Sequence, residues 1–427
     1  MIDIKLIREN KELVKENIKK KFQDEKLPLV DEVFNLDQEY RKTKIEADEA
    51  RSKVNILSKE IGALMRDKKI DEAGKVKEEV AYIKASIPNL EEKEQQLEKQ
   101  IKQKMMVIPN IIDESVPIGK DDSENVELEK YGDPIVPNYE IPYHADILES
   151  INGLDKDASG RTSGNGFYYL MGDAARLSSA MLSYARDFMI DKGFTYCIPP
   201  FMIRSDVVTG VMSFKEMDAM MYKIEGEDLY LIGTSEHSMI GKFKDQILKE
   251  TSLPLNLTSY SPCFRKEVGA HGIEERGIYR VHQFEKQEMI VICKPEEAMD
   301  WYNKMWSYTV ELFRNLNIPV RTLECCSGDL ADLKVKSCDV EAWSPRQQKY
   351  FEVGSCSTLG DAQSRRLGIR VKGENGNYYP HTLNNTVLAS TRALIAFLEN
   401  NLNGDGSINI PEALRPYMGG KEIIIKK

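Results

Sequence analysis

The stretch SPCFRKEVGAHGIEERGIYRVHQFEKQEMI, residues 261–290, holds the densest set of reactive side chains in the chain. Arg265 and Glu267 lie two apart on a strand-like run, so period-two alternation points both to one face. A loop rich in glycine and charge follows, with Gly269, Gly272, Arg276 and Gly277, and a second β-rich run over 278–292 returns with Phe284 and Glu288. An arginine, a carboxylate and an aromatic ring facing one space suit a nucleotide: guanidinium for phosphate, carboxylate for an exocyclic amine, ring for a base. Glu236, Glu352, Thr386 and Arg392 are further residues of these types elsewhere in the chain. Carboxylates suit an ammonium, arginines a triphosphate and hydroxyls a hydroxyl. Any one of these glutamates alone reads equally as a solvated strand position; three of them beside Arg265, Arg276 and Arg392 do not. His237, His271, His282 and His381 are scattered over strand and loop positions and read as structural or hydrogen-bonding groups, not as a zinc site.

The elements that must position these residues follow from pattern. From Phe167 onward, helical patterns alternate with short β-rich runs such as LYLIG and YFEVGSCS. There are no regular βαβ units and no GxGxxG or GKS phosphate loop, so the reading is α+β, an antiparallel sheet flanked by helices. Turn formers dominate residues 106–165, which read as linker-like. Ahead of them, Val33, Leu36, Tyr40, Thr43, Ala47, Ala50, Val54, Leu57, Ile61 and Leu64 recur at alternating steps of three and four. After the polar break MRDKKIDEAGK a second seam runs through Val76, Val80, Ile83, Ile87, Leu90, Leu97 and Ile101. Two a/d seams of similar length joined by a turn predict an antiparallel two-helix coiled-coil arm. Pro88, lacking an N–H, is expected to kink the second helix. Periodicity leaves two uses for such a rod: a spacer, or an arm that touches a polyanion through Arg51, Lys53, Lys59, Arg66, Lys68, Lys69, Lys75 and Lys77.

Composition bounds these readings. The 427 residues carry a net charge of −10, which excludes a simple basic nucleic-acid binder. Charge is uneven, however: residues 1–105 hold 24 Lys and Arg against 23 Asp and Glu, so the acidic excess lies in the rest. No run of 18 apolar residues occurs, so no membrane span is expected, and the charged start MIDIKLIRENKELVKENIKKKF has no apolar signal core. Seven cysteines without a CxxC pair predict reduced thiols and a cytoplasmic protein.

FRKE, GIYRVHQFEKQE and HTLNNTVLASTRALIAFLEN resemble the second and third sequence motifs of the seryl-tRNA synthetases, a class II aminoacyl-tRNA synthetase family. GTSEH resembles that family's serine-binding Thr-x-Glu, and PNIIDESVPIGKDDSENVELEKYGDP the stretch joining its arm to its catalytic domain. The resemblance covers essentially the whole chain. It implies an N-terminal tRNA-binding domain over 1–110, with the hairpin at about 30–105, a linker over 111–165 and a class II catalytic domain over 166–427. It implies ATP-dependent activation of L-serine to seryl-adenylate and transfer to the 3′ end of tRNA(Ser), and of tRNA(Sec) where present, with Mg²⁺ as the metal. Carried over residue by residue, Arg265, Lys266, Glu267, Arg276, Val281, Phe284, Glu352, Val353, Gly354, Ser355 and Arg392 would hold ATP. Arg265 would take the α-phosphate, Glu267 the adenine amine, Arg276 the distal phosphates, and Phe284 with Arg392 the base. Thr234, Ser235, Glu236, Arg265, Glu288, Asn384 and Thr386 would hold serine, Glu352 and Ser355 the metal, and Arg265, Glu352 and Arg392 would be catalytic. The segment 176–203, with Leu177, Met181, Tyr184 and Phe188 before Pro199-Pro200, resembles the family's first motif and implies a homodimer. Gly233, Ser235, NNT, TLGDAQ and SPRQQ depart from the family's usual residues. The alternatives are a specialised paralogue passing activated serine to a non-tRNA acceptor, and a nonenzymatic tRNA-binding module.

Overall fold

The computed structural model describes residues 1–267 and 277–427, in two compact units, Ile2–Pro109 and Asn110–Lys427 with Met1. Arg276 and His271 lie outside the described residues.

The first unit is helical. Helix α1 (Ile4–Lys20) starts at Asp3, whose carboxylate accepts from Lys5 N–H. Helices α2 (Leu27–Arg66) and α3 (Ile70–Met105) form the long hairpin, turning at Lys68, which sits at φ +59°. The seam is as expected: Val33, Thr43, Ala47 and Val54 are buried on α2, and Val80, Leu97 and Ile101 on α3. Asp37, off the apolar pattern, is also buried. Arg8 of α1 meets it at 2.7 Å and Arg41 at 3.1 Å, which keeps its charge compensated. Ion pairs bridge the two long helices: Arg51–Glu91 at 3.0 Å, Lys53–Glu79 and Lys93–Glu39 at 2.7 Å, and Lys104–Glu32 at 2.5 Å. Exposed pairs contribute roughly 0–1 kcal/mol each, so the apolar seam holds the hairpin and the charges set its register. Arg51 and Lys53 are therefore committed within the rod. Helix α3 runs through Pro88 as a single helix. Pro88 is exposed, and so is Lys84, whose carbonyl has no N–H at position 88 to accept from and lies on the solvent side of the helix.

The second unit is built on an eight-stranded sheet. Its strands are β1 (Val126–Tyr131), β2 (Thr195–Cys197), β3 (Leu255–Phe264), β4 (Gln283–Cys293), β5 (Val320–Glu324), β6 (Lys336–Ser344), β7 (Lys349–Thr358) and β8 (His381–Ala389). The order is β1-β5-β6-β7-β8-β4-β3-β2, antiparallel except for the β2–β3 pair. The SPRQQ stretch is the short β6–β7 turn, with Ser344 Oγ accepting from Gln347 N–H at 3.1 Å and Gln348 at φ +51°. The stretch 111–165 is folded into this unit: β1 is the sheet's edge strand, paired with β5, and Ile147 and Leu148 of the helix His144–Ser150 are buried. Its turn formers separate short elements instead of linking domains loosely.

Helix α4 (Gly172–Asp191) covers one sheet face, and helix α6 (Ala298–Asn315), which follows the short helix α5 (Ser235–Gly241), packs on β8 and β7. Leu177, Met181 and Phe188 of α4 are buried in this unit's own core, with Tyr184 against Phe188 at a 6.0 Å ring separation. Leu177, Met181 and Phe188 thus serve this unit's core, while Tyr184 stays half-buried. Helix α7 (Ser390–Asn401) starts directly after β8 and carries Arg392 in its first turn. No helix is long and apolar enough, among the described residues, to cross a membrane.

Candidate active site

The functional face is set by alternation on β4. Phe284, Lys286 and Glu288 point one way, while Glu285 and Gln287 point to a groove shared with Ser179, Leu182 and Arg186 of α4. On β8, Thr386 pairs directly with Glu288 across the ladder, and Asn385 turns to the other face, where its side chain donates to Met305 O of α6 at 2.7 Å. Glu352 and Ser355 on β7 are three apart, so simple alternation would split them between faces. The β6–β7 register slips at Val353, where Val340 pairs with Gly354 and Glu341 with Glu352. That bulge returns both side chains to one face.

Two adjoining cavities open there. The first is lined by Arg265, Glu267, Tyr279, Arg280, Val281, Phe284, Lys286, Glu352, Val353, Gly354, Thr386 and Arg392. The Arg265 guanidinium stands 5.4 Å over the Phe284 ring, and that of Arg392 stands 4.8 Å over the Tyr279 ring. Together they leave slots bounded by an aromatic face and a cation. Arg265 Nε donates to Gly233 O at 3.2 Å, which fixes its direction. Glu267, at φ +45°, is held by Arg280 at 3.4 Å. Arg392 Nη1 donates to Glu352 Oε2 at 2.8 Å. Burial alone would raise the Glu352 carboxyl, but Arg392, with Lys334 and Arg265 beyond it, outweighs that and holds it below the usual range. Its neighbour Asp339 is pushed up by burial and by the charge of Glu352. The site therefore keeps Glu352 ionised and Asp339 readily protonated.

The second cavity is lined by Thr234, Glu236, Arg265, Lys286, Glu288, Lys334, Glu352, Ser355, Asn384 and Thr386. Thr234 caps α5 and donates to Glu288 Oε2 at 3.3 Å. Lys286 is ion-paired with Glu288, both almost fully buried. Glu236 Oε1 accepts from Gln363 Nε2 at 2.7 Å, and loss of water at the cavity wall pushes its carboxyl up to about 7. Three carboxylates (Glu236, Glu288 and Glu352), three hydroxyls (Thr234, Ser355 and Thr386) and the Asn384 amide in one small space match an amino acid bearing an ammonium and a hydroxyl. Because Glu236 protonates near neutrality, occupancy by an ammonium is expected to weaken as pH falls below about 7. The apparent KM for the amino acid should rise on that limb, and Glu236→Gln should flatten it. An unchanged limb in that variant would assign the titration elsewhere.

Most residues named from sequence meet here. Ser235 does not: it is fully buried and its hydroxyl donates to Ser259 O at 3.4 Å, because the first turn of α5 points Thr234 and Glu236 into the cavity and Ser235 behind it. Lys266 lines neither cavity, and its N–H donates to Met220 O at 3.0 Å. Ser355 faces the second cavity, with its hydroxyl 3.2 Å from that of Ser337. His237 is buried and kept neutral, its pKa lowered to about 3 by burial, and His282 Nδ1 meets Arg265 O at 3.1 Å, so both are structural. Sequence reading missed Lys286, Arg280, Tyr279 and Lys334. The first was detectable, being on the same alternating face as Phe284 and Glu288; Lys334 carries no such signal.

Residues 1–112 match the seryl-tRNA synthetase N-terminal domain, and residues 220–401 the class II tRNA synthetase core domain (G, H, P, S and T). A serine–tRNA ligase of Methanoculleus marisnigri is 38% identical over 427 residues, spanning 99% of this chain and 100% of its own. Another, from Pyrococcus horikoshii, is 40% identical, over 99% and 98%. The crystal structure of the Pyrococcus horikoshii seryl-tRNA synthetase complexed with ATP superposes with a TM-score of 0.94 at 38% identity, covering both chains fully. The cytoplasmic serine–tRNA ligase of Naegleria fowleri, in complex with AMP, gives 0.89 at 32%, over 100% of this chain and 99% of that one. With full-length identity of this order, matched domains at both ends and the same fold throughout, the chain belongs to the seryl-tRNA synthetase family.

Proposed function

We propose that the chain activates L-serine with ATP to seryl-adenylate and transfers the seryl group to the 3′ end of tRNA(Ser), and to tRNA(Sec) where that is present. The observation that carries this reading is the direct junction of the two cavities, one bounded by rings and arginines and the other by carboxylates and hydroxyls, with Arg265, Lys286, Glu352 and Thr386 lining both. ATP lies in the first, its base at Phe284 and Arg392 and its amine at Glu267, with Arg276 and Arg392 toward the distal phosphates. Serine lies in the second, its ammonium between Glu236, Glu288 and Thr234, and its hydroxyl at Thr386, Asn384 and Glu288. Arg265 draws the serine carboxylate and the α-phosphate together. No protein nucleophile is required; positioning and charge compensation lower the barrier. Glu352 and Ser355 offer hard oxygen donors on one face, one of them ionised, which fits Mg²⁺. They would hold an ion whose contribution is to neutralise phosphate charge.

The test is ATP–pyrophosphate exchange with serine, alanine and threonine. A cavity whose buried polar groups pair with a hydroxyl leaves them unpaired around a methyl group, so alanine should be activated about 10⁴-fold less efficiently than serine. Threonine, excluded only by bulk, should be rejected less strongly. Comparable exchange with alanine would remove the serine assignment.

A homodimer and a cytoplasmic location complete the proposal. All seven cysteines are unpaired, which suits a reducing compartment. Beyond β2, Ile198 is 68% and Met202 46% exposed, an apolar patch that a partner subunit would cover. Light scattering should return twice the 48.7 kDa chain mass at micromolar concentration. A particle of the single-chain mass would refute the dimer.

A further inference from the structure

The buried pair Lys286–Glu288 is not accounted for by the roles above, which need Glu288 for the substrate. Same-face residues on a strand are about 7 Å apart. Phe284, Lys286 and Glu288 thus form a ladder along β4, at the base-stacking wall, the cavity junction and the amino-acid wall in turn. The order matches that of an aminoacyl-adenylate: base, α-phosphate, amino acid. Lys286 is 7% and Glu288 2% exposed at the side chain. Facing Lys286 at the junction are Arg265, Glu352 and Thr386, and the opposed positions on β3 and β8 are Ser261 and Ala389. Glu352 is already engaged by Arg392, so Glu288 is the carboxylate that compensates Lys286.

We propose that Lys286 is a catalytic cation that hands over its partner during adenylate formation. On the reading of the function given above, the serine ammonium displaces Lys286 from Glu288, and the freed ammonium turns to the α-phosphate and the incoming carboxylate. In the step itself a serine carboxylate oxygen bonds to the α-phosphorus. The bond from that phosphorus to the bridging oxygen breaks, and its electron pair leaves with pyrophosphate. Lys286 keeps its protons throughout and compensates charge on the α-phosphoryl oxygens. Releasing Lys286 only when serine is bound also couples activation to the correct amino acid.

A purely structural Lys286 would hold Glu288 in place, and its loss would weaken serine binding. A catalytic Lys286 competes with serine for Glu288, and its loss would slow chemistry without weakening serine. Steady-state pyrophosphate exchange separates the two, using full-length wild type, Lys286→Met, Lys286→Gln and Lys286→Arg, with thermal melting as the check on folding. Should the methionine variant not fold, the glutamine variant, which can still bond Glu288, carries the comparison. The expected result is a fall in kcat of about 100-fold or more for the neutral variants, the scale of losing one preorganised donor. The KM for serine should be unchanged or lower, and arginine should recover at least part of kcat. A loss carried mainly by the serine KM, or kcat within threefold of wild type, would overturn the proposal. Absence of serine-dependent exchange in the wild type would instead sink the functional reading itself.

Discussion

Arg265→Ala is expected to reduce serine-dependent pyrophosphate exchange by about 10²–10³-fold while the protein stays folded. Arg265 lines both cavities, is aimed by its bond to Gly233 O at 3.2 Å and stands over Phe284. Charge gathers at the α-phosphate as the carboxylate attacks, so a guanidinium fixed there is worth more in the transition state than in the ground state. Its structural contribution is smaller. A partly exposed cation over a ring gives about 0.5–1 kcal/mol, against the roughly 3–4 kcal/mol at stake in the transition state. The melting temperature should accordingly move by only a few degrees. Exchange within threefold of wild type would show that another cation carries the α-phosphate.

The second large effect concerns the arm. Replacing residues 35–104 by a short linker should leave serine-dependent exchange within a few-fold of wild type and abolish charging of tRNA. Ile2–Pro109 is a compact unit of its own, and the cavity residues all lie in Asn110–Lys427, which supports survival of the first half-reaction. Among the described residues, no carboxylate lies within 4 Å of Lys59, Lys75, Lys77 or Lys84 on the hairpin, unlike Arg51 and Lys53. Such scattered cations suit phosphates of a shaped RNA better than a base sequence. Serine tRNAs carry several unrelated anticodons, so reading RNA shape serves the family better than reading an anticodon. Charging by the full-length protein should also weaken steeply with salt, as counterion release requires. Near-normal charging by the armless protein would make the hairpin a spacer.

What sequence could and could not place follows from physical scale. The hairpin was legible because a 3.5-residue repeat over two long seams has few other solutions. Asp37 was not, since its burial depends on Arg8 from another helix. The antiparallel sheet and the alternating face of β4 were legible from period two, which sets Phe284 and Glu288 on one side; Arg265 and Glu267 lie past the end of β3, with Glu267 at φ +45°, so strand alternation does not account for their shared cavity. Edge strand β1 was not, because six residues between turn formers carry too little pattern. Ser235 failed for a helical reason: adjacent residues in the first turn of α5 point about 100° apart, and a motif does not state which of them faces the cavity. Glu352 and Ser355 share a face only through the bulge at Val353, so alternation would have separated them; the family resemblance, not spacing, brought them together.

Charging of unfractionated tRNA with labelled serine, by the intact protein with ATP and Mg²⁺, tests the central claim most directly. The account predicts that serine esterifies a defined fraction of the tRNA. That fraction should hybridise to probes for serine isoacceptors, and the label should be released by mild base. Serine-dependent pyrophosphate exchange with no labelled tRNA would instead assign the protein to a non-tRNA acceptor and contradict the account.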